Sequence, residues 1–171
     1  MPLYSKELWD AVYGGDFAAM KTIFQQTEEN ADVLLHELVQ NTKPEVVKIF
    51  LDVTGTKWIN GFDPMTFSPL MWAARLNKMD HVILLIKAGA DINAHDESRI
   101  GNTALHEAVE CADYELIEYL LNSGADPTIQ GWMNLNSLDK ALNRLKSNDS
   151  EENQKIVELL KKHFQGKNNR P

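Results

Sequence analysis

The chain has few of the residues that form covalent cross-links or membrane spans. Its 171 residues include one cysteine, Cys111, which excludes an internal disulfide and a zinc site built from several cysteines. No run approaches the roughly 18 apolar residues that a membrane-spanning helix needs. The N-terminus also lacks the basic and apolar regions of a secretory signal peptide. We therefore expect a cytoplasmic protein that does not engage a membrane.

Positive charge is scarce as well. The chain holds 17 Lys and Arg against 25 Asp and Glu, which gives a formal net charge of −8. An acidic chain repels a phosphate backbone, so nucleic acid is not expected as a partner. The same charge favours encounter with a protein whose surface is basic. Hydrophobic residues make up 43% of the chain, which is close to the globular average and predicts a folded domain with a core.

The sequence lacks the motifs of most cofactor-dependent enzymes. It contains no metal-ligand spacing, no phosphate-binding glycine loop and no G-x-S-x-G element, so we expect no cofactor, no metal and no catalytic residues. The acidic neighbours of Cys111 disfavour its thiolate. An enzyme would need a site assembled from distant parts of the chain, for which the candidates are His81, His95, Asp96 and Glu97. A structural fragment of a longer scaffold is the other alternative.

What the chain does contain is an internal repeat. Residues 68–74 and 103–109 share one apolar pattern, and Leu70 and Leu105 are 35 residues apart. Each segment is followed by a second apolar stripe of helical spacing and then by Gly-Ala-Asp. This pattern predicts two short helices and a glycine-ended turn in each unit. Helices this short are unstable alone, so the units must stack.

Fainter copies of the pattern occupy the rest of the chain. They predict one domain over residues 1–171 with about five units and a short polar tail. The approximate bounds are 5–30, 31–61, 62–95, 96–130 and 131–165 for the units and 166–171 for the tail.

These segments resemble the ankyrin repeat. Residues 68–94 and 103–128 follow the family's T-P-L-H-x-A-A, I-V-x-x-L-L and G-A-D-x-N-A motifs in order, although Met71 replaces the usual His and Ala104 the usual Pro. The resemblance implies an all-α solenoid of helix-turn-helix units joined by hairpin links. It also implies a non-catalytic protein that binds a folded protein partner through its hairpin tips and concave face. In the family, the position of His106 is structural.

When the sequence is matched to the ankyrin repeat, several large apolar side chains and arginines fall on the hairpin tips and on the inner ends of the first helices. This composition is typical of interface hot spots. We predict a monomer that acts as an inhibitor or immunity-type protein, or as an effector or adaptor. The alternative that the hairpins fold over and bury some of these side chains stays open. The predicted partner-binding residues are Met65, Phe67, Trp72, Arg75, Arg99, Ile100, Asn102, Glu110, Trp132, Met133, Leu135 and Arg144.

Overall fold

The structure, a computed structural model, describes residues 6–26, 31–99, 101–111 and 113–168. These residues form ten α-helices and no strand, which confirms the predicted all-α class. None of these helices combines the length and apolar character that crossing a membrane requires. The helices are α1 (Lys6–Gly14), α2 (Phe17–Gln25), α3 (Ala31–Asn41), α4 (Pro44–Thr54), α5 (Pro69–Arg75), α6 (Met79–Lys87), α7 (Ala104–Cys111), α8 (Tyr114–Asn122), α9 (Ser137–Ser147) and α10 (Glu151–Asn168).

Consecutive helices pair, and the pairs stack side by side. The first helices α3, α5, α7 and α9 pack in one layer, while α2, α4 and α6 pack in a second layer that α8 and α10 continue. Leu35, Leu70 and Leu105 recur at the same position and are fully buried. Phe24 meets Phe50 edge to face across α2 and α4, with ring centroids 5.2 Å apart. Stacking thus buries the apolar stripe that no single short helix could cover.

The helix ends follow from local sequence. Asp113 caps α8 by accepting the backbone N–H of Leu116 at 2.8 Å. Gly124 follows α8 with a φ of +103°, the left-handed conformation that glycine adopts without a steric penalty. Thr103 precedes α7 but caps it only weakly. The Thr103 hydroxyl lies 3.5 Å from the backbone nitrogen of His106 but 2.8 Å from its ring Nδ1, so it bonds mainly to the ring.

Two buried histidines fix the hairpin links to the first helices. Nε2 of His36 lies 2.9 Å from the carbonyl oxygen of Phe67. Nε2 of His106 lies 3.1 Å from the carbonyl oxygen of Leu135 in the next unit. This is the structural role that the resemblance implied for His106. These bonds hold the links before α5 and α9 at set positions relative to the first helices α3 and α7.

Candidate functional site

Three of the predicted binding residues meet on the third unit. The rings of Phe67 and Trp72 lie 4.7 Å apart, and the guanidinium of Arg75 lies 5.3 Å from the Phe67 ring centroid. Half of the Arg75 side chain is exposed, while both rings are half-buried. We call Phe67, Trp72 and Arg75 the central cluster. It combines aromatic surface with a cation in stacking contact, which stabilises the arrangement.

The carboxylate of Asp63 folds the hairpin over this cluster. It accepts the indole N–H of Trp72 at 2.7 Å and the backbone N–H groups of Met65 and Phe67 at 2.8 and 2.9 Å. Phe67 is half-buried rather than fully exposed, because the fold packs its ring on Trp72 and against the core, as in the alternative in which the hairpins fold over. Sequence reasoning missed Asp63, although an aspartate that begins a tight turn was the available signal.

A buried carboxylate joins the central cluster to the next two units. The Glu107 side chain has no solvent exposure. Its Oε2 accepts from Nη1 of Arg75 at 2.8 Å, and its Oε1 accepts from Nδ2 of Asn102 at 2.7 Å. Oδ1 of Asn102 in turn accepts the backbone N–H of Trp132 at 3.1 Å. The predicted residues Arg75, Asn102 and Trp132 are therefore linked through Glu107, which was not predicted.

The link before α9 carries two strongly exposed apolar side chains and one that is half-buried. Trp132 and Met133 are each 65% exposed, while Leu135 is half-buried. We call these three residues the tip cluster. A cleft of about 350 Å³ separates the tip cluster from α9 and is also lined by Glu110, Lys140 and Arg144. Large exposed apolar groups beside a concave surface are typical of a binding site.

Polar contacts hold the cations of this cleft. Nζ of Lys140 lies 2.9 Å from Oε1 of Glu110. Arg144 donates from Nη1 to the Glu110 carbonyl oxygen at 2.8 Å and from Nε to Oδ1 of Asn153 at 3.2 Å. Asn153 is buried and also donates to the carbonyl oxygen of Asn148. Glu110 and Arg144 were predicted, whereas Lys140 and the supporting Asn153 were not.

Of the remaining predicted residues, Met65 is linked to the central cluster only through its backbone N–H, which Asp63 accepts. Met65 is 64% exposed on the link before α5. Ile100 lies outside the described residues, as does the side chain of Arg99. Their inclusion in the binding surface stays a prediction.

The candidate enzyme residues do not converge. His81 is buried in α6, while Nδ1 of His95 lies 2.8 Å from the carbonyl oxygen of Asn93 in the link before α7. Asp96 accepts from Ser98, and Glu97 is exposed. Across the described ranges, no three His, Cys, Asp or Glu side chains are placed to hold a metal ion. The convergence that an assembled site requires is therefore not found in the described part of the chain.

Cys111 has a packing contact rather than a nucleophile's setting. Its thiol donates to the carbonyl oxygen of Arg75 at 2.8 Å, which adds a bond between the third and fourth units. Burial raises the pKa of the Cys111 thiol, and the nearby carboxylate of Glu107 raises it further. A raised pKa disfavours the reactive thiolate.

We expect Gly131→Ala to break the bond between Asn102 and Trp132. A Cβ at Gly131 would lie 2.5 Å from Oδ1 of Asn102 and 3.1 Å from Nε2 of His106. The loss of free energy of unfolding should be about 1–3 kcal/mol, measured by urea denaturation. Gly166→Ala is the matched control, since nothing lies within 4 Å of its added Cβ and alanine suits a helix. Equal stability of both variants would contradict the described link.

Comparison with known proteins identifies the repeat. A family model described as ankyrin repeats (3 copies) matches residues 8–96 and 35–131. An ankyrin repeat protein of Acanthamoeba polyphaga mimivirus is 44% identical over 63 residues, which cover 34% of this chain and 8% of that protein. Ankyrin repeat and SAM domain-containing protein 6 of Rattus norvegicus is 41% identical over 63 residues, which cover 37% of this chain and 7% of that protein. The matched regions thus span less than a tenth of either relative.

Proposed function

The chain belongs to the ankyrin-repeat family, whose repeats indicate a protein-protein interaction module, and we propose that a folded protein docks across its central and tip clusters. Two features of these clusters support the proposal. Their composition of tryptophan, phenylalanine, methionine and arginine is that of interface hot spots. They also lie on the third and fifth units of one stack, joined through Glu107 and Asn102 of the fourth, so one partner surface could cover both.

The observation that carries this proposal is the hydrogen-bonded chain from Arg75 through Glu107 and Asn102 to Trp132. It fixes binding residues of three successive units relative to one another before any partner arrives. A surface ordered in advance loses little conformational entropy on association, so more of the contact energy appears as affinity.

The negative net charge of the chain favours a protein partner whose surface is basic. A net charge of −8 would speed encounter with a protein whose surface is basic. We therefore propose a non-catalytic monomer of the cytoplasm that forms one ankyrin domain. Its role would be that of an inhibitor or immunity-type protein for a basic enzyme, or of an effector or adaptor.

Site-specific crosslinking tests the proposed surface. A photoreactive amino acid at Trp132 or Trp72 should give a discrete covalent adduct in the native cell. The same group at Lys161, which is exposed on α10, serves as the matched control and should not give that adduct. An adduct of equal yield from Lys161, or none from either cluster, would contradict the proposal.

Once the adduct identifies the partner, Trp132→Ala should weaken its binding about 30-fold or more, as for a hot-spot tryptophan. The midpoint of thermal unfolding should hardly change, because the side chain is 65% exposed. Calorimetric titration and thermal denaturation of the same sample separate the two quantities. A large fall in the midpoint would assign Trp132 to packing instead.

A further inference from the structure

The tip cluster contains a methionine that the backbone does not favour. Met133 has φ +62° and ψ +20°, and Asn134 has φ +58°. The chain turns tightly here, because Gly131 N–H donates to the Leu135 carbonyl at 2.9 Å and Asn134 N–H to the Gly131 carbonyl at 3.0 Å. Two left-handed residues in succession suit Asn-Gly. Asparagine tolerates this conformation, whereas a methionine does so at a cost that glycine would avoid.

Burial in the folded chain does not compensate for this conformational cost at Met133. It is 65% exposed, and so is that of the adjacent Trp132. Neither local conformation nor the core therefore accounts for a methionine at this position. An unbranched, flexible side chain of this kind is well suited to packing against a varied partner surface.

The cleft behind this turn has a charge opposite to that of the whole chain. Lys140 and Arg144 contribute two positive charges against the single carboxylate of Glu110, which lies 2.9 Å from Lys140. Arg144 bonds to a carbonyl oxygen and to an amide oxygen, and both acceptors are neutral. Those bonds use two of its five N–H donors. The cleft is thus locally cationic on a chain of net charge −8.

We propose that this cleft anchors an acidic-apolar segment of the protein partner. A carboxylate of the segment binds Arg144, and a neighbouring apolar side chain packs between Trp132 and Met133. A planar guanidinium held at two points is well placed to receive a carboxylate. A volume of about 350 Å³ accommodates a small number of side chains.

This proposal rests on the proposed function and refines it. The remainder of the partner surface is basic and governs the encounter, whereas a single acidic anchor fixes the orientation on the last unit. Buried Asn153, on α10, acts as a positioning residue, since its Oδ1 accepts from Nε of Arg144 at 3.2 Å.

A displayed library of random peptides, selected on the full chain, tests the anchor. We expect the enriched peptides to carry Asp or Glu beside a large apolar residue. Arg144→Gln should weaken these peptides at least about tenfold. Lys162→Gln, which removes an exposed cation of α10, is the matched control and should leave their affinity unchanged.

Met133→Gly should lower the affinity for the enriched peptides and raise the thermal stability of the chain. Removal of the side chain should weaken the enriched peptides at least about tenfold. Relief of the left-handed backbone should raise the thermal midpoint by about 3 °C. A merely structural methionine would leave peptide affinity unchanged, and this outcome would overturn the proposal.

Other outcomes separate the anchor from the wider function. Basic enriched peptides, peptides indifferent to Arg144→Gln, or no enrichment at all would each overturn the anchor. Peptides that lose affinity with Trp72→Ala but not with Met133→Gly would overturn the anchor while supporting the central cluster. Peptides indifferent to variants of both clusters would count against the proposed function as well.

Discussion

Acidification from pH 7 should destabilise the protein through His106 by about 2 kcal/mol at pH 5 and about 3 kcal/mol at pH 4. Burial, helped by the nearby charge of Lys140, lowers the pKa of His106 from 6.5 to about 4. Between pH 6.5 and pH 4, His106 is therefore protonated in the unfolded chain and neutral in the folded chain. This group has almost no effect on the free energy of unfolding well above pH 6.5, and it lowers that free energy as the pH falls through 6.5 toward 4.

The geometry explains why the folded state prefers the neutral ring. Nδ1 of His106 accepts the backbone N–H of Thr103 at 3.1 Å, so Nε2 carries the proton and donates to the Leu135 carbonyl. A second proton on Nδ1 would place a donor against the Thr103 N–H group. The charged ring would also lie near Lys140, with Glu110 as a partial compensation.

Urea denaturation of His106→Gln at pH 7 and pH 5 tests this account. The variant should be less stable at pH 7, because the Thr103 N–H loses its acceptor, but its loss between the two pH values should be smaller by about 2 kcal/mol. Gly166→Ala changes no titratable group and should retain the wild-type pH dependence. Parallel pH dependence of wild type and His106→Gln would contradict the assignment.

The fold was predictable because its determinants recur at a fixed interval. Leu70 and Leu105 are separated by one repeat and occupy equivalent buried positions. Gly124 ends its helix in the left-handed conformation that its place after an apolar stripe predicted. These signals are local or periodic, so a single chain is enough to reveal them.

The polar framework of the candidate site was not predictable in the same way. Glu107 and Trp72 hold equivalent positions one repeat apart, yet one is a buried acceptor and the other is a half-buried ring. What decides between them is the hydrogen-bond partner that each side chain meets, which is Arg75 of the preceding unit for Glu107 and Asp63 of its own hairpin link for Trp72. Such pairings depend on how the links fold over the helices, which periodicity does not specify.

The link between units can be tested by exchanging its donors and acceptors. Both oxygens of Glu107 accept hydrogen bonds, one from Arg75 and one from Asn102. In Glu107→Gln, one acceptor becomes an NH₂ group that faces another donor. Asn102 is not free to turn its amide, because its oxygen accepts the Trp132 N–H. Glu107→Gln should therefore lower the free energy of unfolding by about 1–3 kcal/mol.

A second substitution, Asn102→Asp, should restore part of the stability that Glu107→Gln removes. Asn102→Asp alone places a carboxylate against buried Glu107 and should also cost about 1–3 kcal/mol. In the double variant, the new amide at position 107 can donate to one carboxylate oxygen at position 102, while the other accepts the Trp132 N–H and Arg75 keeps an amide oxygen. The formal charge of the network is the same as in the wild type.

Urea denaturation of the two single variants and the double variant measures the coupling. If the described geometry holds, the double variant should be more stable than either single one, with an interaction energy of about 2 kcal/mol. Losses that simply add would show that Arg75, Glu107, Asn102 and Trp132 do not act as one unit. The argument for a binding surface ordered in advance across three units would then lose its main support, because the central and tip clusters would be fixed independently.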